Sequence, residues 1–342
     1  MAELRYNPIT RDWLMVASHR QSRPQMPKDW CPFCPGGGRV PDEGFDALRY
    51  PNDFPALSVN PPAMDDVAGG LFVTEPAYGQ CEVLLYTDKH NARLGDFSDK
   101  HAHKLARLWL EVYYDFSKDK KIKYAFIFEN RGEMVGVTMP HPHGQAYGYP
   151  FVPRAIRDEL AGAKDYFGKT GGCLFCDLLA QEIEDGRRII SDDEYFTIYM
   201  PFFAQTAYNV HITAKRHITN IAKMTSKELD ALGEAVRDVS AMYDALFDKP
   251  FPYMMCMHNA PLGLGAGAEF DTETESSFTD TTVYGDYYHF HIEFIPPMRT
   301  ADKQQFFASS ETGAGAWCNP TCPEEKAAEL REAWNRVRGV KR

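Results

Sequence analysis

Two long segments of the chain carry apolar residues at helical spacing. The apolar positions are Leu105, Leu108, Trp109 and Val112 in the first segment and Leu229, Leu232, Val236 and Val239 in the second. A repeat of three and four residues predicts an amphipathic helix with one buried face in each segment. Thr225 and Glu228 stand just before the second apolar series, and this spacing predicts a capping box.

Short apolar runs flank both predicted helices, and their length is typical of β-strands. In the first series the run CEVLLYTDKH ends at His90 and the run KYAFIFEN ends at Asn130. In the second series YNVHITAKRH ends at His217 and PYMMCMHN ends at Asn259. Each predicted helix therefore lies between two predicted strands.

The two series present the same features in the same order. Each begins with a C-x-x-C pair, continues through strand, helix and strand, and ends in a His-x-His pair that we place inside a further strand. The matching pairs are Cys31/Cys34 and Cys173/Cys176 for the cysteines and His141/His143 and His289/His291 for the histidines. This order predicts an internal repeat. We expect an α+β fold of two pseudo-symmetric halves, residues 1–168 and 169–342, each an antiparallel sheet with a long helix.

Two segments lie outside the repeat. RAIRDELAGAKDYF, residues 154–167, predicts a helix between the halves, and the GKTGG sequence after it predicts a turn. Residues 263–288 are polar and acidic, and most of their length lacks a helix or strand period. This pattern predicts a long loop.

The charge and length of the chain exclude some classes of function. The chain has 342 residues and a formal net charge of −11, which argues against a nucleic-acid-binding protein because such proteins need a basic face. A local cluster of arginines can still bind a small phosphorylated ligand. No stretch approaches the roughly 18 apolar residues of a membrane span. The first residues, MAELR, lack the regions of a signal peptide, so we expect a cytoplasmic protein without membrane contact.

The cysteine pairs indicate metal binding. A C-x-x-C turn supplies two of the four nitrogen or sulfur ligands of a tetrahedral zinc ion. Such pairs in a reducing compartment more often bind metal or carry out redox chemistry than form structural disulfides. The repeat supplies the missing histidines at matched places, so we predict one zinc site in each half. The predicted sets are Cys31, Cys34, His90 and His141 in the first half and Cys173, Cys176, His217 and His289 in the second.

The stretch MPHPHGQA, residues 139–146, leaves His143 outside the predicted zinc set. Its prolines fix the backbone, so a metal-bound His141 would present His143 at a fixed angle. An imidazole can act as a general base or as a covalent nucleophile, and toward phosphorus it forms a phosphoramidate. Gln145 follows two residues later on the same strand face, where its amide can donate to a phosphoryl oxygen. The spacing favours nucleotidyl or phosphoryl transfer, with a further metal ligand or a buried polar histidine as alternatives.

The HPHGQ sequence resembles the active-site motif of the galactose-1-phosphate uridylyltransferases, a branch of the histidine-triad superfamily. The resemblance extends over nearly the whole chain. It includes the segments RYNPITRDWLMVASHRQSRP, PNDFPALS, FENRGEMVGVTMPHPHGQ and HFHIEFIPPMR. It implies that each half has a histidine-triad-like fold.

The resemblance also implies an activity in galactose metabolism, in the Leloir pathway. Members of the family exchange UMP between UDP-glucose and galactose 1-phosphate by a ping-pong route. By this resemblance His143 would attack the α-phosphorus of UDP-glucose and release glucose 1-phosphate, and Gln145 would hold the phosphoryl oxygens. The hydrolases of the superfamily carry a third histidine at the place of Gln145. An amide cannot readily protonate a leaving group, which favours transfer over hydrolysis.

The resemblance assigns substrate contacts to further residues. They are Asn52 and Asp53 for uridine and ribose, Asn130, Gly136 and Thr138 near the diphosphate, and Arg20 and Arg23, a pair that can reach phosphate from the neighbouring subunit. Arginine suits phosphate because its planar guanidinium is permanently charged. A contact across subunits implies a homodimer.

The C-terminal segment leaves the substrate open. The family's sugar-facing pattern is only partly kept in QFFASSE, where Phe306 and Glu311 persist but the family's lysine, valine and tyrosine do not. The following ETGAG resembles plant-type proteins that act on ADP-glucose. An ADP-glucose phosphorylase or adenylyltransferase is therefore the alternative activity.

The second metal site has an alternative as well. Some family members bind iron or zinc through one glutamate and three histidines, and the matching residues here are Glu182, His258, His289 and His291. We favour the set with two cysteines because it follows the repeat and because thiolates suit zinc.

Overall fold

The computed structural model describes residues 2–22, 30–262 and 284–339. The strands in these ranges are β1 (Ala2–Asn7), β2 (Asp12–Ala17), β3 (Leu48–Pro51), β4 (Thr74–Pro76), β5 (Gln80–Leu85), β6 (Tyr124–Arg131), β7 (His143–Tyr149), β8 (Ile189–Asp192), β9 (Phe196–Tyr199), β10 (Val210–Ala214), β11 (Tyr253–His258) and β12 (His291–Ile295). The α-helices are α1 (Asp99–Ser117), α2 (Arg154–Thr170), α3 (Leu174–Asp185), α4 (Ser226–Leu246) and α5 (Pro323–Gly339). None of these helices has an apolar stretch long enough to cross a bilayer.

One antiparallel sheet runs through both halves of the chain. Its nine strands have the order β3-β5-β7-β6-β11-β12-β10-β9-β8. The halves meet where β6 pairs with β11, with Phe128 opposite Cys256. Outward from this junction the order is β6-β7-β5-β3 on one side and β11-β12-β10-β9-β8 on the other. The predicted α+β fold with antiparallel strands is therefore confirmed, and the repeat forms one continuous sheet. A separate three-stranded sheet, β2-β1-β4, completes the first half.

The two long helices pack together on one face of the large sheet. Trp109 of α1 and Val236 of α4 have no exposed surface, and both belong to the main apolar core. Burial of such a side chain contributes about 1.5–3 kcal/mol. Gly233 of α4 sits at the crossing point, because a Cβ atom there would lie 2.3 Å from the carbonyl oxygen of Ala102. Both predicted helices are confirmed by this packing.

Polar residues start both helices. Ser98 precedes α1, and its side chain accepts a hydrogen bond from the backbone N–H of His101. At α4 the Thr225 side chain accepts from the backbone of Glu228, whose carboxylate accepts in return from the Thr225 backbone N–H. The predicted capping box is confirmed. Caps of this kind stabilise a helix by about 1 kcal/mol because they satisfy backbone donors of the first turn.

The helix predicted between the halves is α2. It ends at Thr170 and is followed by Gly171 with a positive φ of 73°, so the chain turns directly into α3. The boundary predicted at residue 168 falls in the last turn of α2 and stays a prediction. Most of the loop predicted over residues 263–288 lies outside the described residues.

The position of the His-x-His pairs differs from the prediction. Strand β7 begins at His143 and β12 at His291, so His141 and His289 lie just before the strands. His90 likewise lies beyond the end of β5. Prolines at positions 140 and 142 lack the N–H that a strand ladder needs, which delays the start of β7. The predicted metal-ligating histidines are therefore on loops rather than within the strands.

Candidate active site and metal centres

The four residues of the first predicted metal set come together at the start of β7. Cys34 Sγ lies 3.5 Å from His90 Nδ1 and 3.7 Å from His141 Nδ1, and Cys31 Sγ lies 3.7 Å from His141 Nδ1. Zn–S and Zn–N bonds of about 2.3 and 2.0 Å at a tetrahedral angle give an S···N separation of about 3.5 Å. The geometry therefore fits a zinc ion.

The second predicted set comes together before β12. Cys176 Sγ lies 3.3 Å from His217 Nδ1 and 3.3 Å from His289 Nδ1. One ligand atom from each of these residues and Cys173 lies within 4.8 Å of all the others, as in the first set. The predicted repeat of two cysteines and two histidines is thus present in space as well as in sequence.

Histidine orientation supports metal binding in both sets. In three of the histidines Nε2 lies at hydrogen-bond distance from a backbone carbonyl, which can only accept. The contacts are His141 to Thr87 at 2.7 Å, His217 to Gly285 at 2.8 Å and His289 to Ala214 at 2.8 Å. Nε2 therefore carries the proton, and the Nδ1 lone pair faces the thiol groups. Metal-ligating histidines ordinarily have this arrangement. Burial also lowers the pKa of His141, which keeps its imidazole in the neutral, metal-binding form.

His143 stands at the first residue of β7, beside the first set but outside it. Its Nδ1 lies 2.8 Å from the carbonyl oxygen of His141. Because a carbonyl only accepts, Nδ1 carries the proton, and Nε2 presents a lone pair on the other side of the ring. The side chain is half-buried. The loop that carries His141, a member of the first metal set, therefore also fixes the tautomer and the direction of the His143 imidazole.

Gln145 lies two residues further along β7, on the same strand face as His143. The Tyr147 hydroxyl lies 3.4 Å from Gln145 Oε1, and the Arg20 guanidinium donates to the Tyr147 hydroxyl over 3.3 Å. Since Oε1 is the acceptor in this contact, the Gln145 Nε2–H group is the part of the amide that can donate to a ligand. The resemblance implied that Arg20 acts across a subunit boundary, whereas this contact is made within the chain.

Two cavities open near these residues. One of about 550 Å³ is lined by His143 and by Asn130 and Thr138, two of the residues predicted near the diphosphate. The other, of about 520 Å³, is lined by Asn52 and by residues of β3 and β5. Both volumes suit parts of a nucleotide sugar, since ligand sites range from about 300 to 1,000 Å³.

The other residues that the resemblance assigned to substrate contacts are not in the lining of the two cavities or lie outside the described residues. Asp53 is exposed, and its carboxylate accepts from the Tyr50 hydroxyl over 3.1 Å and from Arg39 over 3.3 Å. Gly136 ends a short turn with a φ of 82° and does not line the 550 Å³ cavity. Phe306 is 75% exposed, and Glu311 accepts from the Ala308 backbone N–H over 3.0 Å. Neither of the last two lines either cavity. Arg23 lies outside the described residues.

Comparison with known proteins identifies the family. Residues 1–153 match the N-terminal domain of galactose-1-phosphate uridyl transferase, and residues 159–307 match its C-terminal domain. The chain belongs to this uridylyltransferase family. A galactose-1-phosphate uridylyltransferase of Thermotoga maritima is 39% identical over 97% of this chain and 98% of its own length. The corresponding protein of Schizosaccharomyces pombe is 29% identical over 96% of this chain and 93% of its own length.

Solved structures agree with this assignment. A structure of a uridylyltransferase has a TM-score of 0.85 and 30% identity, and the match covers 98% of this chain and 99% of that one. An ADP-glucose phosphorylase from Arabidopsis thaliana has a TM-score of 0.69 and 24% identity over 97% of this chain and 99% of that one. The second likeness shows a shared fold.

In this member of the uridylyltransferase family, the second-half residue that corresponds to His143 is buried. His291 and Glu293 occupy the positions in β12 that His143 and Gln145 occupy in β7. Glu293 pairs with His211 and Cys256 on the neighbouring strands, as Gln145 pairs with Val83 and Phe128. His291 is only 3% exposed.

A buried cluster fills the space above these second-half residues. Glu159 of α2 lies 2.8 Å from His258 Nδ1, and it also accepts from the Tyr288 hydroxyl over 2.7 Å. One ligand-type atom each from Glu159, His258, His291 and Glu293 lies within 4.8 Å of the others. Helix α2 thus covers the face that remains open in the first half, which leaves one candidate transfer site in the described part of the chain.

The carboxylate of the alternative metal set lies in an ion pair in this family member, and the candidate metal groups of the described residues do not include it. Glu182 accepts from Arg188 over 2.8 Å and from the Phe202 backbone N–H over 2.7 Å, so it belongs to a buried ion pair. His289 belongs to the set with the two cysteines. The carboxylate beside His258 is Glu159 of α2, whereas α3 contributes the Phe175 ring, 5.2 Å from the His291 ring. No sequence pattern signals Glu159, but the repeat offered a signal for Glu293, which stands where Gln145 stands in the first half.

The Glu159–His258 pair should contribute strongly to the stability of this uridylyltransferase-family chain. Breaking one side of a fully buried ion pair costs about 3–5 kcal/mol, and the Glu159 side chain is 22% exposed, so Glu159→Gln should lower the free energy of unfolding by about 2–3 kcal/mol. The matched control is Asp158→Asn on the same helix, whose side chain is 72% exposed. That change should cost less than about 0.5 kcal/mol in denaturant unfolding. Equal losses in the two variants would contradict the buried pair.

The pH dependence of this loss has a defined sign. Burial acts to raise the pKa of Glu159, but the charge of His258 lowers it from 4.5 to about 2. The stabilisation from Glu159 is therefore lost as pH falls below 4.5. Burial acts to lower the pKa of His258, but the charge of Glu159 raises it from 6.5 to about 9. The stabilisation from His258 is therefore lost as pH rises above 6.5. The difference in unfolding free energy between wild type and Glu159→Gln should be largest between these two limits.

Proposed function

We propose that this chain is a UDP-glucose–hexose-1-phosphate uridylyltransferase with His143 as its covalent nucleophile. The observation that carries the proposal is the 2.8 Å contact from His143 Nδ1 to the His141 carbonyl, which directs Nε2 away from the metal set. His143 also lines the 550 Å³ cavity. The relatives named above, with matches over nearly the whole chain, support the choice of reaction.

The proposed reaction has two balanced steps. In the first, His143 Nε2 forms a bond to the α-phosphorus of UDP-glucose, and the bond from that phosphorus to the bridging oxygen breaks. The bond's electron pair leaves with glucose 1-phosphate, which needs no proton at neutral pH. In the second, a phosphate oxygen of galactose 1-phosphate attacks the same phosphorus, and the electron pair returns to Nε2. Since Nδ1 keeps its proton throughout, the His141 carbonyl stabilises the positively charged intermediate imidazole.

Gln145 is proposed to stabilise charge on the phosphoryl oxygens. Its Oε1 is an acceptor for Tyr147, which orients the amide so that Nε2–H can donate to the reacting phosphate. Arg20 lies one contact further away and adds positive charge beside the same group. Asn130 and Thr138 are proposed to contact the diphosphate, and Asn52 the uridine, because they line the two cavities. Asp53, Gly136, Arg23, Phe306 and Glu311 stay as proposed contacts on the resemblance alone.

Loss of the Gln145 amide should slow the chemical step. We expect Gln145→Ala to lower kcat about 10²-fold with a KM for UDP-glucose within a few-fold of wild type, since the donor acts mainly in the transition state. Gln181→Ala, an exposed glutamine on α3, is the matched control and should leave both constants unchanged. Steady-state kinetics measure both variants. A raised KM with unchanged kcat would instead assign Gln145 to ground-state binding.

Zinc is the proposed metal of both sets with two cysteines. Two thiolates and two imidazoles in a tetrahedron are typical of structural zinc. The first set would tie the loop before β7 to the C-x-x-C turn and thereby hold His143. All eight cysteines are free thiols, which fits a reducing compartment, so we also propose a cytoplasmic location. Iron in place of zinc at the second set is the alternative.

A homodimer is proposed as the working form. Phe306 is 75% exposed and Phe202 70% exposed, and exposed aromatic side chains of this size often mark protein interfaces. Phe306 and Glu311 line neither cavity of their own chain, so their proposed contact with the sugar would be made in a neighbouring subunit. Light scattering should give the mass of two chains.

A substrate panel tests the proposed activity. The protein is incubated with UDP-glucose and galactose 1-phosphate, and separately with ADP-glucose and phosphate. Formation of UDP-galactose and glucose 1-phosphate in the first mixture supports the proposal. Turnover in the second mixture alone would replace it with the ADP-glucose activity. Nucleotide binding without turnover in either would indicate a binding protein.

A further inference from the structure

A buried polar network lies directly beneath the strand that carries the nucleophile. A Cβ atom on Gly144 would lie 2.3 Å from the Tyr86 hydroxyl oxygen, so the phenol touches the backbone between His143 and Gln145. The Tyr86 backbone N–H also donates to the carbonyl of Pro142 over 3.0 Å. Glycine is required at position 144 by this close approach. Tyr86 therefore supports β7 through its main chain at one point and its side chain at another.

A carboxyl group lies next to Tyr86 in the apolar core. Glu129 is 5% exposed, and its Oε1 accepts from the Tyr253 hydroxyl over 3.0 Å. Its Oε2, the Tyr86 hydroxyl and the Trp109 indole nitrogen make no hydrogen bond of ordinary geometry with the described residues. The same Gly144 Cβ position would also lie 3.1 Å from the carbonyl oxygen of Phe128, the residue before Glu129, and Tyr86 and Glu129 line one cavity, so the two groups are close. Buried polar groups of this kind are rare and usually have a functional reason.

The surroundings of Glu129 favour its neutral acid form. Burial raises the pKa of Glu129 to about 7, although Arg131, Tyr253 and Tyr86 act in the opposite direction. Arg131 is already paired with Asp244 at 2.8 Å, and Asp244 also raises the pKa of Glu129. A neutral carboxylic acid has one donor and one strong acceptor. It can accept from Tyr253 and donate to Tyr86 at the same time.

We propose that Glu129, through Tyr86, is a positioning residue for uridylyl transfer. By holding Tyr86 against the backbone of Gly144, Glu129 fixes the position of this part of β7. The backbone position in turn sets the direction of the His143 and Gln145 side chains. This inference rests on the proposed function, because it assigns a role within that transfer. Glu129, Tyr86 and His143 line the same 550 Å³ cavity, so ionisation of Glu129 adds negative charge where the diphosphate is proposed to bind.

The test measures single-turnover labelling of His143 by UDP-glucose in Glu129→Ala and Glu129→Gln. Labelling is followed at a temperature where circular dichroism shows both variants folded. Glu129→Ala should lower the labelling rate constant by at least about 10-fold, since small misplacements of reacting groups are costly, with the KM for UDP-glucose within about 3-fold. Glu129→Gln keeps the shape and donor of the neutral acid and should stay within about 3-fold of wild type at pH 6. The control is Glu182→Ala, a buried glutamate of the second half, which should lose stability but keep the labelling rate.

The pH profile separates positioning from a purely structural role. Labelling by the wild type should fall as pH rises through about 7, where Glu129 ionises, and labelling by Glu129→Gln should stay level over that range. Identical profiles of the two proteins would overturn the neutral-acid form. A folded Glu129→Ala protein with the wild-type labelling rate would overturn the positioning role. Absence of label on the wild type would instead count against the proposed function itself.

Discussion

Replacing His143 by glycine abolishes uridylyl transfer without changing the metal content of the protein; this is the largest effect that we expect. The imidazole supplies the nucleophile, and no other side chain on the same strand face can form the phosphorus–nitrogen bond. Removal of a covalent nucleophile lowers kcat by roughly 10⁴-fold or more. Exchange is measured by formation of UDP-galactose from UDP-glucose and galactose 1-phosphate.

The controls for this variant follow from the geometry of the site. His143 Nδ1 contacts the His141 carbonyl, and His143 is not one of the four residues of the first metal set, so zinc content and melting temperature should stay near wild type. His103→Asn changes a half-buried histidine on α1 that contacts Glu234 at 2.8 Å and lines neither cavity, and it should keep full activity. Exchange at the wild-type rate by His143→Gly would show that another group is the nucleophile.

Replacing Cys31 by serine should have the second largest effect, on stability and activity together. A hydroxyl is a poor zinc ligand, so the first set should lose its metal, and metal binding to such sets contributes to folding free energy. We expect a loss of at least about 3 kcal/mol and a fall in melting temperature of at least about 5 °C. Transfer should slow by at least about 10-fold, because an untied His141 no longer directs His143. Elemental analysis, thermal unfolding and exchange kinetics measure the three effects.

Two further cysteine variants show whether this effect is specific. Cys318→Ser changes an exposed cysteine outside both metal sets and should alter neither metal content nor activity. Cys173→Ser should lose the metal of the second half but keep most of the transfer rate of the folded protein, since that set precedes β12, which β6 and β11 separate from β7. Wild-type protein without bound metal, or a Cys31→Ser variant with unchanged metal content, would contradict the proposal that the first set binds a metal ion. A third metal ion lost only in Glu159→Gln would assign a cation to the buried cluster.

The features that could be predicted from the sequence depend on short-range patterns or on the repeat. The faces of α1 and α4 follow from the spacing of Leu105, Trp109 and Val236, and the cap of α4 follows from two residues three apart. The metal sets combine residues up to 116 positions apart, from Cys173 to His289, yet matched motifs in the two halves indicated which histidines belong with which cysteines.

The features that could not be predicted depend on how separate elements pack. Glu159 and His258 are 99 residues apart, and only the position of α2 over the second half brings them together. Glu182 has the right residue type for a ligand, but α3 directs it to Arg188 instead. The support of β7 by Tyr86 and Glu129 depends on tertiary contacts across the sheet, and no local pattern signals a buried neutral acid.

The central claim is that His143 becomes uridylylated, and a mass spectrum of the trapped intermediate tests it most directly. The protein is mixed with UDP-glucose without acceptor, quenched at alkaline pH because phosphoramidates hydrolyse in acid, and digested. We predict one added uridylyl group on the peptide that contains residues 139–146, located at His143 by fragmentation and removed on addition of galactose 1-phosphate. A uridylyl group on another residue, or continued sugar exchange with no covalent adduct, would contradict the account.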